Sequence, residues 1–377
     1  MTSITRFEDL EGREVEGRSL WANAWARLRA NKAAVASVLI LGIIALASVF
    51  GPLLSPHGIG QVYRSYTKVP ASLEPYPRQA DIPDLVDRVL RRSRATVEAL
   101  EIDGGTIVLQ LSSERELDPR LVRGFERSAD FIDVEIVERS PDGRAMTIEM
   151  SVARLYFLFG TDANGRDLLT RVLFGGRISL MIGFLATFVS LVIGVAYGAT
   201  AGYLGGRVDN VMMRIVDILY SIPFMFFVIL LMVFFGRNIV LMFIAVGAIE
   251  WLDMSRIVRG QTLSIKRKEF IEAAHACGVN TVTIIRRHVV PNTLGPVVVY
   301  MTLLVPRVIL LESFLSFLGL GVQEPMTSWG VLISEGANNI VGATWMLIFP
   351  AIFLAVTLFC FNFIGDGLRD ALDPKDR

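Results

Sequence analysis

The chain of 377 residues has no net charge, 37 Lys and Arg balancing 37 Asp and Glu. Without an excess of clustered bases it has no electrostatic footprint for nucleic acid, and that class is excluded. Cysteine is scarce: Cys277 lies in a basic polar stretch and Cys360 inside an apolar run, so no disulfide framework can staple the fold. No G-x-x-x-x-G-K-[ST] occurs, which removes ATP binding through a phosphate loop of the chain's own. The absence of H-E-x-x-H and G-x-S-x-G removes the signatures of metalloprotease and esterase chemistry. His275, Cys277 and His288 are ligand types, but three in one loop without a fourth do not make a closed zinc site. Neither a catalytic residue nor a metal centre is expected.

What is abundant is apolar: 53% of residues are hydrophobic and the mean hydropathy is +0.51. A spanning helix needs about 20 mostly apolar residues, and six runs qualify, near residues 33–53, 178–200, 215–235, 238–254, 294–318 and 345–365. The fourth is short and carries Glu250 and Asp253. Lipid excludes irregular backbone, so the expected fold is an all-α polytopic bundle of six transmembrane helices. Ala45-Leu46-Ala47 mimics a signal-peptidase site, but the run is longer than a signal core and follows a long polar stretch, so it reads as an uncleaved anchor.

Bases beside the spans set orientation. Arg27, Arg29 and Lys32, then Arg207 and Arg214, then Arg256 to Arg287, then Arg369, Lys375 and Arg377 all fall on one side, which is then cytoplasmic with both termini. Opposite them, Arg237 is the only base after span three; Arg166, Arg171 and Arg177 run against the pattern, partly offset by Asp162 and Asp167. Trp21, Trp25, Trp251, Trp329 and Trp345 fall near span ends, where interfacial anchors belong.

This divides the chain into a cytoplasmic segment 1–32, a first helix 33–53, an extracytoplasmic region 57–159, a core 160–366 containing the loop 256–292, and a cytoplasmic tail 367–377. Within 57–159 the pattern predicts a helix over 84–100, a strand over 106–111, a helix starting at Asp118-Pro119, and a strand, turn and strand through Ile132–Ile136, Ser140–Gly143 and Met146–Met150. Together these make a small α+β insertion whose sequence suggests no chemistry.

Gly194, Gly198, Gly202 and Gly206 repeat at a four-residue step, a flat face that lets another helix approach; packing is the expected role. Between spans four and five, Glu272-Ala273-Ala274 leads to Gly278, suited to a left-handed helix end, and then to His288, Pro291 and Asn292. Phe270, Ala273, Ala274 and Cys277 share helical spacing, giving a narrow face of small residues that a partner surface can approach, with Glu272 on its rim.

E-A-A-x-x-x-G followed by H-x-x-P-N resembles the loop by which ATP-binding-cassette importer permeases contact their ATPases. The oligopeptide and dipeptide branch is also similar at Phe159–Leu168, Gly202–Asp209, Ser221–Pro223, Leu315–Gly321 and Ser328–Gly330. The long region before Phe159 departs from the pattern. The resemblance implies a non-enzymatic permease subunit of the bacterial inner membrane. It implies partners too: a sister permease forming a heterodimer, two ATPase subunits that use ATP and magnesium, and an extracytoplasmic binding protein delivering a peptide. This chain would bind no cofactor itself. Nickel, glutathione or another small solute is the alternative cargo; a secondary transporter or membrane enzyme is the alternative class.

Ionisable groups inside spans are costly and need a reason. Arg307 and Glu312 are the candidate pathway residues, with a buried pair or a subunit contact as the equal alternative; Asp217 lies at the start of span three.

Overall fold

The computed structural model describes residues 20–236 and 239–372, apart from Arg92 and Arg94. Most of the segment 1–32, Arg237, Lys375 and Arg377 lie outside the described residues. The helices are α1 (Leu20–Ala30), α2 (Lys32–Leu54), α3 (Ile82–Leu90), α4 (Val122–Glu126), α5 (Leu168–Leu204), α6 (Gly206–Ser221), α7 (Phe224–Phe235), α8 (Ile239–Ile265), α9 (Glu269–Ala276), α10 (Thr281–Ile284), α11 (Val290–Phe317), α12 (Trp329–Asn338) and α13 (Trp345–Leu372). The strands are β1 (Thr96–Asp103), β2 (Thr106–Ser112), β3 (Phe131–Arg139) and β4 (Ala145–Val152). The chain divides into two compact units. One is drawn from Met1–Leu53, Leu173–Ser334 and Pro350–Arg377, the other from Leu54–Val172 and Glu335–Phe349.

The second unit contains the antiparallel sheet, in the order β1-β2-β4-β3. Strand side chains alternate between faces, and the register places Ile107 opposite Met150, Leu109 opposite Ile148 and Leu111 opposite Met146. These six line one buried face. Onto it pack Ile82, Leu85, Val86 and Leu90 of α3 and Val122 and Phe125 of α4. Asp118 accepts a hydrogen bond from the Arg120 N–H at 2.8 Å, starting the turn that leads into α4.

The helix expected over 84–100 stops at Leu90, because Thr96–Asp103 is an edge strand paired to β2. Gly104-Gly105 is the signal that sequence reading passed over. Both glycines have positive φ, +57° and +110°, which a two-residue hairpin requires and which glycine adopts without steric cost.

Among the described residues four helices are long and apolar enough to cross a membrane: Lys32–Leu54, Leu168–Leu204, Thr281–Phe317 and Trp345–Leu372. A fifth is reached if α6 and α7, bent by 78°, count as one. α8 meets the length, but Glu250, Asp253 and Arg256 crowd its middle. Trp329 is no interfacial anchor: it is fully buried, its ring filling the space that Gly176 leaves by having no side chain, with Phe353 at a ring distance of 6.3 Å.

Leu109 sits at the centre of the sheet core with no exposed surface. Residues 76–152 expressed alone should give a mixed α and β circular dichroism spectrum. Leu109→Ala in that fragment should lower its stability by about 2–5 kcal/mol, read from urea unfolding. A disordered spectrum for the unsubstituted fragment would show that its fold needs the rest of the chain.

Candidate functional site

After α8 the chain turns at Lys268 and enters α9, whose first turn carries Glu269 and Glu272 at the positive end of the helix dipole. Ile271 is buried and Ala274 half-buried against the main hydrophobic cluster of the spanning helices. Phe270, Glu272, Ala273 and Cys277 face outward and are exposed. Successive helical residues turn by about 100°, so Ile271 and Ala274 share the inner side, and Ala274 leaves the outward face on which sequence spacing had put it.

The end of α9 is closed by its own carbonyls. The Gly278 N–H donates to His275 O at 3.0 Å and the Val279 N–H to Ala274 O at 3.1 Å. That pair of bonds needs a left-handed residue at the turn, and Gly278 has φ +75°. Asn280 then caps α10, accepting from the Thr283 N–H at 2.8 Å. Residues Ile285–Val289 form one wide π turn, in which the Val290 N–H donates to Ile285 O. Pro291, at the second position of α11, has no N–H and its ring crowds the carbonyl four residues back; a widened turn relieves both. Asn292 Nδ2 donates to His288 O at 2.6 Å, so His288, Pro291 and Asn292 together build the entry to α11.

α8, from which α9 hangs, is held against α5 by close backbone approach. A Cβ on Gly194 would come within 2.5 Å of Met254; on Gly198 it would overlap the Ser255 carbonyl and approach Arg259 N to 3.0 Å; on Gly202 it would lie 2.9 Å from Arg259 O. Gly206 does not share this face. It lies beyond the end of α5, has φ +56°, and opens onto empty space. The bidentate pair between Arg259 and Asp209, at 2.5 and 2.7 Å, ties α8 to α6 as well.

Arg307 and Glu312 are not brought together. Glu312 is completely buried, and its carboxylate accepts from Ser316 and Ser328 hydroxyls, each at 2.6 Å, and from Ser179 at 3.4 Å. The Trp329 N–H donates to Ser179 at 3.2 Å, so this group joins α5, α11 and the start of α12. Arg307 instead turns to α8, reaching Asp253 at 2.9 Å and Glu250 at 3.8 Å. Sequence reading treated these two acids as a span-boundary problem; across α8 and α11 they are the partners of Arg307.

In the second unit Asp162 gathers two bases. It accepts from Arg166 Nε at 2.7 Å and from Arg171 at 2.6 Å, while Arg171 also reaches Glu335 at 2.6 and 3.0 Å. Asp167 accepts from the Thr170 N–H and hydroxyl, and burial pushes its carboxyl above the usual carboxylate range. Two of the three bases that run against the charge asymmetry are thereby neutralised by carboxylates.

Residues 194–377 match the family described as the binding-protein-dependent transport system inner membrane component, and residues 19–75 match the N-terminal transmembrane domain of oligopeptide transport permease C. The oligopeptide transport system permease protein OppC of Escherichia coli K12 is 48% identical over 364 residues, 97% of this chain and 94% of that protein. OppC of Haemophilus influenzae is 64% identical over 222 residues, 59% of this chain and 71% of the relative. The dipeptide transport system permease protein DppC of Bacillus subtilis is 38% identical over 356 residues, 94% and 86% of the two chains.

The glycine contacts separate two substitutions that sequence spacing treats alike. Gly198→Ala drives a methyl into the α8 backbone and should cost roughly 1–3 kcal/mol or more, seen as a lowered melting temperature in detergent. Gly206→Ala meets no neighbour and should cost only about 1 kcal/mol, from its left-handed backbone. Equal effects would contradict the α5–α8 packing.

Proposed function

This chain belongs to the family of binding-protein-dependent transport permeases, and on that premise we propose that it forms, with a sister permease, the membrane pathway for oligopeptides or dipeptides. A binding protein outside delivers the peptide, and two ATPase subunits inside bind and hydrolyse ATP with magnesium. The chain is a transport subunit, not an enzyme, and its own residues bind no cofactor.

The observation that carries the coupling role is α9, a short helix anchored by Ile271 and Ala274 that leaves Phe270, Glu272 and Ala273 free. It hangs between α8 and α11, and α8 is locked to α5 through Gly194, Gly198 and Gly202. A push on its outer face therefore moves the ends of spanning helices without first compressing a loose loop. Gly278 holds the helix end in shape, and His288, Pro291 and Asn292 set the direction in which α11 leaves. Ala273 keeps the outer face low enough for a partner groove to close over it, and Glu272 offers that partner a charge.

The finer architecture follows the same reading. Six spans are reached by counting α2, α5, α6 with α7, α8, α11 and α13, with both termini in the cytoplasm and the sheet unit outside as an insertion. The neutralisation of Arg166 and Arg171 supports this sidedness, since the bias set by bases depends on their charge. Arg307, with Asp253, contributes to the pathway wall. Glu312, enclosed by hydroxyls, is a tie between helices.

Single cysteines at Ser264 and Ser140, in a chain lacking Cys277 and Cys360, should react with an impermeant thiol reagent in intact cells only at Ser140. Reaction at Ser264 reverses the orientation. Coupling is tested by Glu272→Lys and Ala273→Trp. Both lie on the exposed face of α9, so both variants should insert and stay folded while losing ATPase co-purification and peptide uptake together. Uptake that continues in both, or that proceeds with no ATPase present, removes the coupling role.

A further inference from the structure

α8 carries Glu250, Asp253 and Arg256 at three-residue steps, which places them along one side of the helix. Each end of this stripe is joined to a neighbouring helix. Arg256 pairs with Asp217 of α6 at 2.8 Å and lies 4.5 Å from the Tyr220 ring centre. Asp253 and Glu250 hold Arg307 of α11. Burial differs sharply within this last group: the Glu250 side chain is 4% exposed, Asp253 23% and Arg307 54%. The acids sit behind and the guanidinium projects in front.

Arg307 shares its face of α11 with Leu303, Leu310 and Phe314, at positions i, i+4, i+7 and i+11. All three are exposed and none is acidic, so Arg307 is the single charged group on an apolar strip in a segment long enough to span the membrane. A charge within a spanning segment pairs with another charge and faces the bundle interior or water; Asp253 and Glu250 supply the pairing, and the exposed front of Arg307 is left for water or a charged visitor.

We propose that Arg307, steadied by Asp253 and Glu250, is a specificity-determining contact for a carboxylate of the passing solute. The proposal rests on the pathway reading of α8 and α11 given above. Guanidinium is a planar fork that matches a carboxylate with two parallel N–H bonds. Asp253 occupies Nη1, and more than half of the side chain remains open. Asp253 already accepts from the guanidinium, so a visiting carboxylate shares the base with it and is not held too tightly. Conduction needs a site that a solute can enter and also leave. A peptide can supply the carboxylate from its C-terminus or from an acidic side chain; the recognising chemistry is the same.

The test uses the complete transporter in proteoliposomes with its binding protein, so that the binding protein's own preference cancels when variants are compared. Uptake of Ala-Glu-Ala is measured against Ala-Lys-Ala, and of trialanine against trialanine amide. Arg307→Gln should lower at least one of these ratios by about tenfold relative to the unsubstituted protein. The first ratio responds if side-chain carboxylates are read, the second if the C-terminus is. Arg307→Lys, which keeps the charge, should retain most of the discrimination, within about threefold, since a lysine lacks the fork but not the attraction. Unchanged ratios, or an equal loss for every peptide, overturn the proposal. Leu303→Cys and Leu310→Cys, in a chain without Cys277 and Cys360, separate the two levels of the argument. If both react with a charged methanethiosulfonate while the ratios stay flat, the specificity role alone falls. If neither reacts, the pathway reading falls with it.

Discussion

Hydrocarbon does not solvate charge, and the first unit is arranged around that constraint. Several ionisable groups placed among the apolar helices are joined to other elements: Asp209 to Arg259, Asp217 to Arg256, Arg307 to Asp253 and Glu250, and Glu312 to Ser179 and Ser328 as well as to Ser316 of its own helix. An unpaired charge in an apolar medium is penalised by several kcal/mol or more. These links are therefore directional as well as cohesive, since they hold only when particular helices meet in a particular register. Glu312 shows the limiting case. No base reaches it among the described residues, and hydroxyls from three separate segments share the work of enclosing it.

Close packing supplies what the polar links leave out. Gly194, Gly198 and Gly202 allow α5 and α8 to approach until a methyl group would no longer fit, and van der Waals contact along that seam drives association where lipid offers no hydrophobic contrast. The consequence reaches the short helix α9. Its inner residues Ile271 and Ala274 belong to the same apolar cluster as Val258 and Met254 of α8 and Val297 and Leu304 of α11. Its outer face is exposed, its end closed by a left-handed glycine. A helix so placed is anchored to the spanning helices on its inner side and open on its outer side.

The sheet unit obeys soluble-protein rules instead. Its buried face is an alternating pattern across β2 and β4, covered by two short amphipathic helices, and its outer strands β1 and β3 are edges carrying many acidic residues. Charge along an edge discourages pairing with a second sheet. The unit brings its own core, built from Ile107, Leu109, Ile148, Phe125 and their neighbours, and needs no lipid to explain its burial.

The apolar runs, the four-residue glycine step, the Gly278 turn and the alternation of Ile107, Leu109 and Leu111 were all legible in the sequence, because each is a periodicity or a local backbone requirement. The boundary at Leu90 was missed because the helical pattern of α3 runs into β1 without a break, and only pairing to β2 decides where one ends. The inward turn of Ala274 and the departure of Gly206 from its apparent stripe depend on where α9 is anchored and where α5 stops. The partners of Arg307 lie 54 and 57 residues away in the chain, on α8. Local sequence determined which residues were charged, small or apolar; only tertiary structure decided which met, because the cost of an unpaired charge is settled by neighbours distant in the chain.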